Sequence, residues 1–174
     1  MNKILIVVDM QKDFIDGALG TKEAVSITDR AAEKIKGFDG PVLVTMDTHG
    51  QDYLQTAEGK NLPVAHCIKG TPGWELHETI QQALQGKQYT VLEKGTFGSI
   101  ELPSRVAELL DPQQMEAELI GLCTDICVVS NALLLKAHFP EMQIAVDAGC
   151  CAGVTPETHN AALETMKMCQ ITIV

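Results

Sequence analysis

Short apolar runs alternate along the chain with longer stretches of helical period, and this alternation constrains the fold more than any other feature. Six runs rich in β-branched residues are predicted to be strands, at 4–8, 42–46, 89–92, 118–122, 143–146 and 171–174. Their apolar residues are nearly continuous, which indicates strands buried on both faces, as in a parallel sheet covered by helices. Strands that alternate with helices in this way predict a doubly wound α/β sheet.

Helical signals fall between these strands. The predicted helices span residues 24–38, 73–85, 125–139 and 156–168. Two of them are preceded by the start signal of a threonine followed by a proline, at 71–72 and at 155–156. The stretch 48–70 has no such period, and we expect it to be irregular. A loop of that length inside a compact domain is usually functional.

The length and charge of the chain exclude several classes of protein. Its 174 residues suit one domain with an ample core, and no linker or repeat divides them, so we expect a single domain over 1–174. The net charge is −10 without any basic run, which argues against nucleic acid and anionic membranes as partners. No signal peptide or membrane-spanning stretch is evident, so we expect a cytoplasmic protein with reduced cysteines.

Ionisable or nucleophilic residues follow four of the predicted strands. Asp9 ends the first strand, Asp47 and His49 follow the second, Lys94 ends the third, and Cys127 comes shortly after the fourth. Ligands of open α/β sheets bind beyond the carboxyl ends of the strands. We therefore expect these side chains to share one edge of the sheet and to form a functional site there.

Cys127 is the candidate nucleophile. In the first turn of a buried helix, the helix dipole and a cation such as Lys94 would lower the pKa of its thiol, and free peptide N–H groups can bind an oxyanion. Asp9 follows five apolar residues, so burial would raise the pKa of its carboxyl group and suit it to act as a base. The competing interpretations are that Cys127 is simply a small buried residue and that Asp9 caps a turn.

The remaining cysteines are expected to lie in the core: Cys67, Cys150, Cys151 and Cys169.

Asp47, His49 and His66 form a candidate metal site. One carboxylate and two imidazoles are a reasonable set of ligands for a divalent ion that keeps positions open for water and substrate. Glu58 is a candidate fourth ligand or a supporting group. By spacing alone, a polar loop with surface histidines is the better interpretation, so the metal site depends on the fold.

Taken together, these segments resemble the isochorismatase-like cysteine hydrolases, a family that includes nicotinamidases. The likeness covers essentially the whole chain in order. The segments that carry it are 6–14, 47–49, 66–67, 93–96, 121–128, and 147–157.

The resemblance implies a six-stranded parallel sheet with helices on both faces and a triad of Asp9, Lys94 and Cys127. The backbone N–H groups of Cys123 and Cys127 would form an oxyanion hole, helped by a cis peptide bond between Leu122 and Cys123. The implied reaction is the hydrolysis of a small amide through a thioester, with nicotinamide as the preferred substrate. The family commonly assembles, so a homo-oligomer is expected.

By the same resemblance, Asp47, His49 and His66 would bind zinc or a similar divalent ion, which would hold the ring nitrogen of the substrate. Phe14 and Phe97 are candidates to line the substrate pocket, and a core role for Phe14 fits the sequence equally well. The expected partner is therefore a small-molecule amide.

The sequence departs from nicotinamidases where the pocket is expected. Thr48 stands in place of the usual tryptophan, Cys123 in place of the usual alanine, and Phe97–Ile100 in place of a Ser-Tyr-Ser-Ala-Phe-like stretch. Three alternatives stay open: a metal-independent hydrolase of another small amide or carbamoyl compound, a non-catalytic binding domain, and a flavodoxin-like binder of a nucleotide or flavin. The intact triad argues against a binding domain, and no nucleotide-binding motif is present.

Overall fold

The computed structural model describes residues 3–109 and 116–174. These residues form one six-stranded sheet in which every pairing is parallel and the strand order is β3-β2-β1-β4-β5-β6. The strands are β1 (Lys3–Val8), β2 (Val42–Asp47), β3 (Tyr89–Lys94), β4 (Glu116–Leu122), β5 (Gln143–Ala152) and β6 (Thr172–Ile173). The predicted doubly wound α/β fold is confirmed.

Helices cover both faces of the sheet. In the described residues they are α1 (Lys12–Ile15), α2 (Lys22–Gly37), α3 (Ala57–Asn61), α4 (Glu78–Leu84), α5 (Leu102–Leu109), α6 (Val129–His138) and α7 (Pro156–Met168). None of these helices is long and apolar enough to cross a bilayer.

Two hydrophobic cores explain why the central strands are almost continuously apolar. In β1, Ile4, Ile6 and Val8 face one core together with α5, α6 and α7, whereas Leu5 and Val7 face the other together with α2 and α4. Because successive side chains of a strand point to opposite faces, a strand covered on both sides buries all of them.

The register of the central strands brings their carboxyl ends together. Val8 of β1 pairs with Thr45 of β2 and with Gly121 of β4, and Asp47 of β2 pairs with Lys94 of β3. The residues that follow these positions therefore emerge at one edge of the sheet.

Gly121 allows β4 to run close to β1 at this edge. Its φ is +118°, and a Cβ at this position would lie 2.1 Å from the carbonyl oxygen of Val8. Both the backbone conformation and the space require glycine here. One residue later, the peptide bond between Leu122 and Cys123 is cis, as the family resemblance implies.

The predicted start of the helix over 73–85 is wrong. The chain makes only one 3₁₀ turn after its start signal, Pro72–Trp74, and α4 begins at residue 78. Between this 3₁₀ turn and α4, the carbonyl of Glu75 and the N–H of His77 each form a 3.0 Å hydrogen bond with the backbone just after β1. This long-range pairing overrides the local signal for a helix.

The stretch 48–70 is also more regular than expected. It contains a 3₁₀ turn at Tyr53–Gln55 and the short helix α3, whose N-cap is Thr56. The hydroxyl of Thr56 accepts a hydrogen bond from the N–H of Gly59 at 3.0 Å. The cap fixes α3, and α3 carries Glu58 towards the sheet edge.

Candidate active site

Lys94 lies at the centre of a buried polar group at the carboxyl edge of the sheet. Its Nζ is 2.6 Å from Oδ2 of Asp9, 3.2 Å from Oδ1 of Asp47 and 3.5 Å from Sγ of Cys127. It also donates to the carbonyl of Thr96 at 3.1 Å. Asp9, Lys94 and Cys127 are 0%, 4% and 5% exposed. The fold thus brings the three predicted triad residues together in a place nearly closed to water.

Asp9 is held in this group by Thr45 of β2. The Thr45 hydroxyl donates to Oδ1 of Asp9 at 2.6 Å and accepts from the Asp9 N–H at 3.3 Å. The φ of Asp9 is +48°, in the left-handed region that residues other than glycine adopt mainly at functional sites. Burial raises the pKa of Asp9 above its ordinary value while Lys94 opposes the rise, so the predicted direction is confirmed.

The expected lowering of the Cys127 pKa is wrong. Burial raises the pKa of this thiol well above its ordinary value, and the Asp9 carboxylate raises it further. The ammonium of Lys94 is shared between two carboxylates, Asp9 and Asp47, and so is not dedicated to the thiol. Loss of the thiol proton to solvent would add a buried negative charge. Transfer of that proton to Asp9 leaves the net charge unchanged, so the geometry favours this transfer.

Cys127 lies in a π-helical turn, Thr124–Val128, that precedes α6. The carbonyl of Cys123 accepts hydrogen bonds from the N–H groups of Ile126 at 3.1 Å and Val128 at 3.0 Å. In an α-helix this carbonyl would be the acceptor for the N–H of Cys127, but the two donors occupy both of its lone pairs. The Cys123 carbonyl is therefore not the partner of the Cys127 N–H, which lies in the first turn, where N–H groups commonly lack a helical acceptor.

Beside this group, four side chains offer a set of metal ligands. One ligand atom from each of Asp47, His49, Glu58 and His66 lies within 4.8 Å of all the others. Nε2 of His49 and Nε2 of His66 lie 2.8 and 3.6 Å from Oδ2 of Asp47, and each lies 3.7 Å from Oε1 of Glu58. Ligand atoms about 2.1 Å from a tetrahedral ion are roughly 3.4 Å apart, so this donor set fits one divalent ion.

The two histidines are buried, not on the surface as their spacing alone suggested. His49 and His66 are 8% and 2% exposed. Nδ1 of His66 lies 2.8 Å from the carbonyl of Val64. Since a carbonyl only accepts, Nδ1 carries the proton and Nε2 keeps its lone pair for the cluster. This is the arrangement typical of a metal-binding histidine.

Asp47 belongs to both groups, because its Oδ1 faces Lys94 and its Oδ2 faces the two histidines. Burial alone would raise the pKa of Asp47, but the hydrogen bond with His49 and the charge of Lys94 lower it. The buried side chain of Gln11 fixes the Asp47 backbone, since it accepts from the N–H at 2.7 Å and donates to the carbonyl at 2.8 Å.

A cavity of about 240 Å³ joins the metal-ligand cluster to the thiol. Asp47, Glu58 and His66 contribute to its wall, as do Cys123 and Cys127. Much of the remaining wall is apolar and includes Phe14, Leu19, Leu62, Phe97, Ile126 and Val154. Both predicted pocket residues, Phe14 and Phe97, thus line this cavity. Its volume suits a small uncharged ring rather than a large ligand.

Sequence reasoning missed Thr45 and Gln11. Both are fully buried polar side chains that make hydrogen bonds to site residues. Thr45 lies within a run of strand-forming residues, where a β-branched threonine is unremarkable. The sequence signal that could have identified Thr45 is a hydroxyl inside a strand that is expected to be buried on both faces. A buried hydroxyl needs a hydrogen-bond partner.

The other cysteines differ from Cys127 in their surroundings. Cys67, Cys150 and Cys151 are buried, and burial raises the pKa of each thiol, that of Cys150 to about 11. Cys169, which was expected in the core, is exposed, because it follows the last turn of α7 at the surface. Unlike Cys127, none of these three buried thiols lines the cavity beside the metal-ligand cluster, so none of them is placed to act as the nucleophile.

Comparison with known proteins gives a consistent result. The family model of the isochorismatase domain matches residues 3–174. The chain is 28% identical to the nicotinamidase/pyrazinamidase of Mycobacterium tuberculosis over 186 residues, covering 99% of this chain and 98% of that protein. The crystal structure of a nicotinamidase/pyrazinamidase from Bacillus subtilis superposes with a TM-score of 0.86 at 28% identity, and each chain is covered completely. A pyrazinamidase of Pyrococcus horikoshii, solved in complex with zinc, superposes with a TM-score of 0.83 at 25% identity, covering 100% of this chain and 99% of that one.

Proposed function

Because the chain belongs to the isochorismatase family, we propose that it hydrolyses nicotinamide to nicotinate and ammonia, with Cys127 as the nucleophile. One observation carries the proposal: a single ammonium nitrogen lies within 3.5 Å of both the Asp9 carboxylate and the Cys127 thiol, beside a small cavity. The relatives known as nicotinamidases support the choice of substrate.

The first half-reaction forms a thioester. Asp9 takes the proton of the Cys127 thiol, and the sulfur attacks the carbonyl carbon of the amide. The carbonyl oxygen becomes an oxyanion that accepts hydrogen bonds from the backbone N–H groups of Cys123 and Cys127. When the C–N bond breaks, Asp9 passes its proton to the leaving nitrogen and ammonia departs.

The second half-reaction releases the product. Asp9 takes a proton from water, the resulting hydroxide attacks the thioester carbon, and the same N–H groups hold the second oxyanion. The C–S bond then breaks and Cys127 recovers its proton from Asp9. In both half-reactions, the ammonium of Lys94 stabilises the negative charge on whichever of its neighbours carries it, and burial keeps that electrostatic interaction strong.

Asp47, His49 and His66 would hold a divalent ion, zinc by comparison with the pyrazinamidase of Pyrococcus horikoshii, and Glu58 would be a supporting group that leaves a coordination position open. When bound, such an ion offers a coordination position for the ring nitrogen of the substrate and so orients the ring. The apolar wall of the cavity encloses that ring and excludes water. This four-donor cluster argues against the metal-independent alternative.

Two further parts of the proposal concern the cellular compartment and the oligomeric state. A reducing compartment such as the cytoplasm agrees with six free cysteines. A homo-oligomer is expected from the family resemblance, and light scattering on the purified protein tests it.

Ammonia release from nicotinamide tests the function. We expect turnover by the unaltered protein, a loss of about 10⁴-fold or more in Cys127→Ala, and no loss in the control Cys169→Ala at an exposed thiol. Mass spectrometry of the quenched reaction should find the acyl group on residue 127. Turnover by Cys127→Ala at the normal rate, or no hydrolysis by the intact protein supplied with zinc, would contradict the proposal.

A further inference from the structure

The start of α7 is tied to the turn that carries the nucleophile. Nδ1 of His159 lies 2.8 Å from the hydroxyl oxygen of Thr124, the first residue of that turn. The N–H of Val154 donates to both carboxylate oxygens of Asp125, at 3.2 and 3.1 Å. Two successive residues of the turn thus each make a hydrogen bond to the segment 154–159.

Both partners of the Thr124–His159 bond have little freedom to move. Thr124 is fully buried, so its hydroxyl cannot exchange this bond for one to water. The backbone and Cβ of His159 lie against Gly153, where an added Cβ would lie 2.9 Å from the Cβ of His159. This contact fixes the base of the His159 side chain, and the bond to the Thr124 hydroxyl orients its imidazole.

Thr124 lies between the two groups assigned to the oxyanion. Cys123 precedes it, and Cys127 follows it within the same π-helical turn. A rotation of Thr124 would shift the N–H of Cys123 relative to the N–H and sulfur of Cys127. Oxyanion donors are useful only when they point to the place where charge develops, so small shifts of this kind are costly.

We propose that His159 is a positioning residue for the reaction: through the Thr124 hydroxyl, it holds the nucleophile turn in the geometry that binds the tetrahedral oxyanion. The inference rests on the proposed function and adds to it a residue 32 positions away from the nucleophile. Burial lowers the pKa of His159 below its ordinary value, against the opposing charge of Asp125, so the imidazole is neutral at neutral pH and can either accept from or donate to the hydroxyl.

Four variants test this inference. Thr124→Val removes the hydroxyl at nearly constant volume, whereas Thr124→Ser keeps it. His159→Ala removes the imidazole, whereas His159→Asn places an amide atom at the position of Nδ1 that can accept or donate. His138→Ala, at an exposed histidine of α6, is the matched control for loss of an imidazole.

The measurements distinguish a positioning role of His159 from a general loss of protein stability. For Thr124→Val and His159→Ala we expect kcat for nicotinamide to fall about 10- to 100-fold with KM changed less than about twofold. The affinity for pyridine-3-carboxaldehyde, whose adduct with the thiol is tetrahedral, should fall by a similar factor, while the affinity for nicotinate stays nearly constant. The Ser and Asn variants should recover most of the loss, and the Val/Ala double variant should be no worse than the poorer single variant.

The inference is overturned by an unchanged affinity for the aldehyde, by losses that multiply in the double variant, or by a fall in kcat that matches the unfolded fraction in urea titrations. The aldehyde titration needs no turnover. If the unaltered protein binds the aldehyde covalently but does not hydrolyse nicotinamide, the proposed function fails while the positioning role is still measured.

Discussion

Replacing Thr45 by valine should move the acid limb of the pH–activity profile upwards. Thr45 is fully buried, and its hydroxyl donates to Oδ1 of Asp9 at 2.6 Å. This hydrogen bond favours the ionised form of Asp9 and lowers the pKa of that carboxyl group. Valine has nearly the same volume and shape but cannot donate, so the change removes the bond without opening a cavity.

The size of the shift follows from the strength of that bond. A hydrogen bond to a charged group contributes about 1.5–3 kcal/mol, and 1.36 kcal/mol corresponds to about one pKa unit. The pKa of Asp9 should therefore rise by roughly 1–2 units in Thr45→Val. The base must be ionised to take the thiol proton, so kcat/KM at low pH should fall, and the midpoint of the acid limb should rise by the same roughly 1–2 units.

The assay is kcat/KM for nicotinamide across the acid limb, at saturating zinc, with metal content measured at each pH. Thr45→Ser retains the hydroxyl and is the matched control, and its limb should stay near that of the unaltered protein. An acid limb that does not move in Thr45→Val, or that moves downwards, would refute the assignment of Asp9 as the base. An equal fractional loss of kcat/KM at every pH would instead indicate that the Asp9 carboxylate is misplaced.

Three further predictions concern the metal ligands, the thiol and the close contact between strands. After loading with zinc and dialysis, the unaltered protein is expected to retain one ion per chain by metal analysis and His49→Ala to lose it, while an equal metal content in both would contradict the cluster. Cys127 should react slowly with iodoacetamide at neutral pH and faster as the pH rises, because burial and Asp9 raise the pKa of its thiol, whereas the exposed Cys169 serves as the reference. Gly121→Ala should lower the free energy of unfolding by more than about 3 kcal/mol in urea titrations, because it combines a positive φ with a backbone clash. Gly37→Ala, where no atom lies within 4 Å of an added Cβ, should not destabilise the protein.

The sheet could be predicted because its central strands are buried on both faces and carry their signal locally. A run such as Ile4–Val8 needs only its own residues to indicate a covered strand. The triad could be anticipated because parallel strands bring their carboxyl ends to one edge, so that Asp9, Lys94 and Cys127 become neighbours despite their separation in the sequence.

Three of the failures have a common physical cause, since each depends on a partner far away in the sequence. The segment before α4 has a good helix start signal, but its backbone pairs instead with the residues after β1. The pKa of Cys127 is raised by burial and by the Asp9 carboxylate, and both depend on how distant segments pack around the thiol. Thr45 acquires its role from the register of β1 and β2, which no local pattern encodes.

The double use of the Asp47 carboxylate has a consequence for how such proteins can diverge. A lineage that lost the ion by replacing His49 or Glu58 would keep both carboxylates that contact Lys94, because neither replaced side chain contacts Lys94 in the described structure. A lineage that replaced Asp47 would lose an ion ligand and at the same time leave Lys94 with one carboxylate fewer. Evolution of a metal-free amidase is therefore compatible with replacement of an imidazole, but replacement of Asp47 would also disturb Lys94.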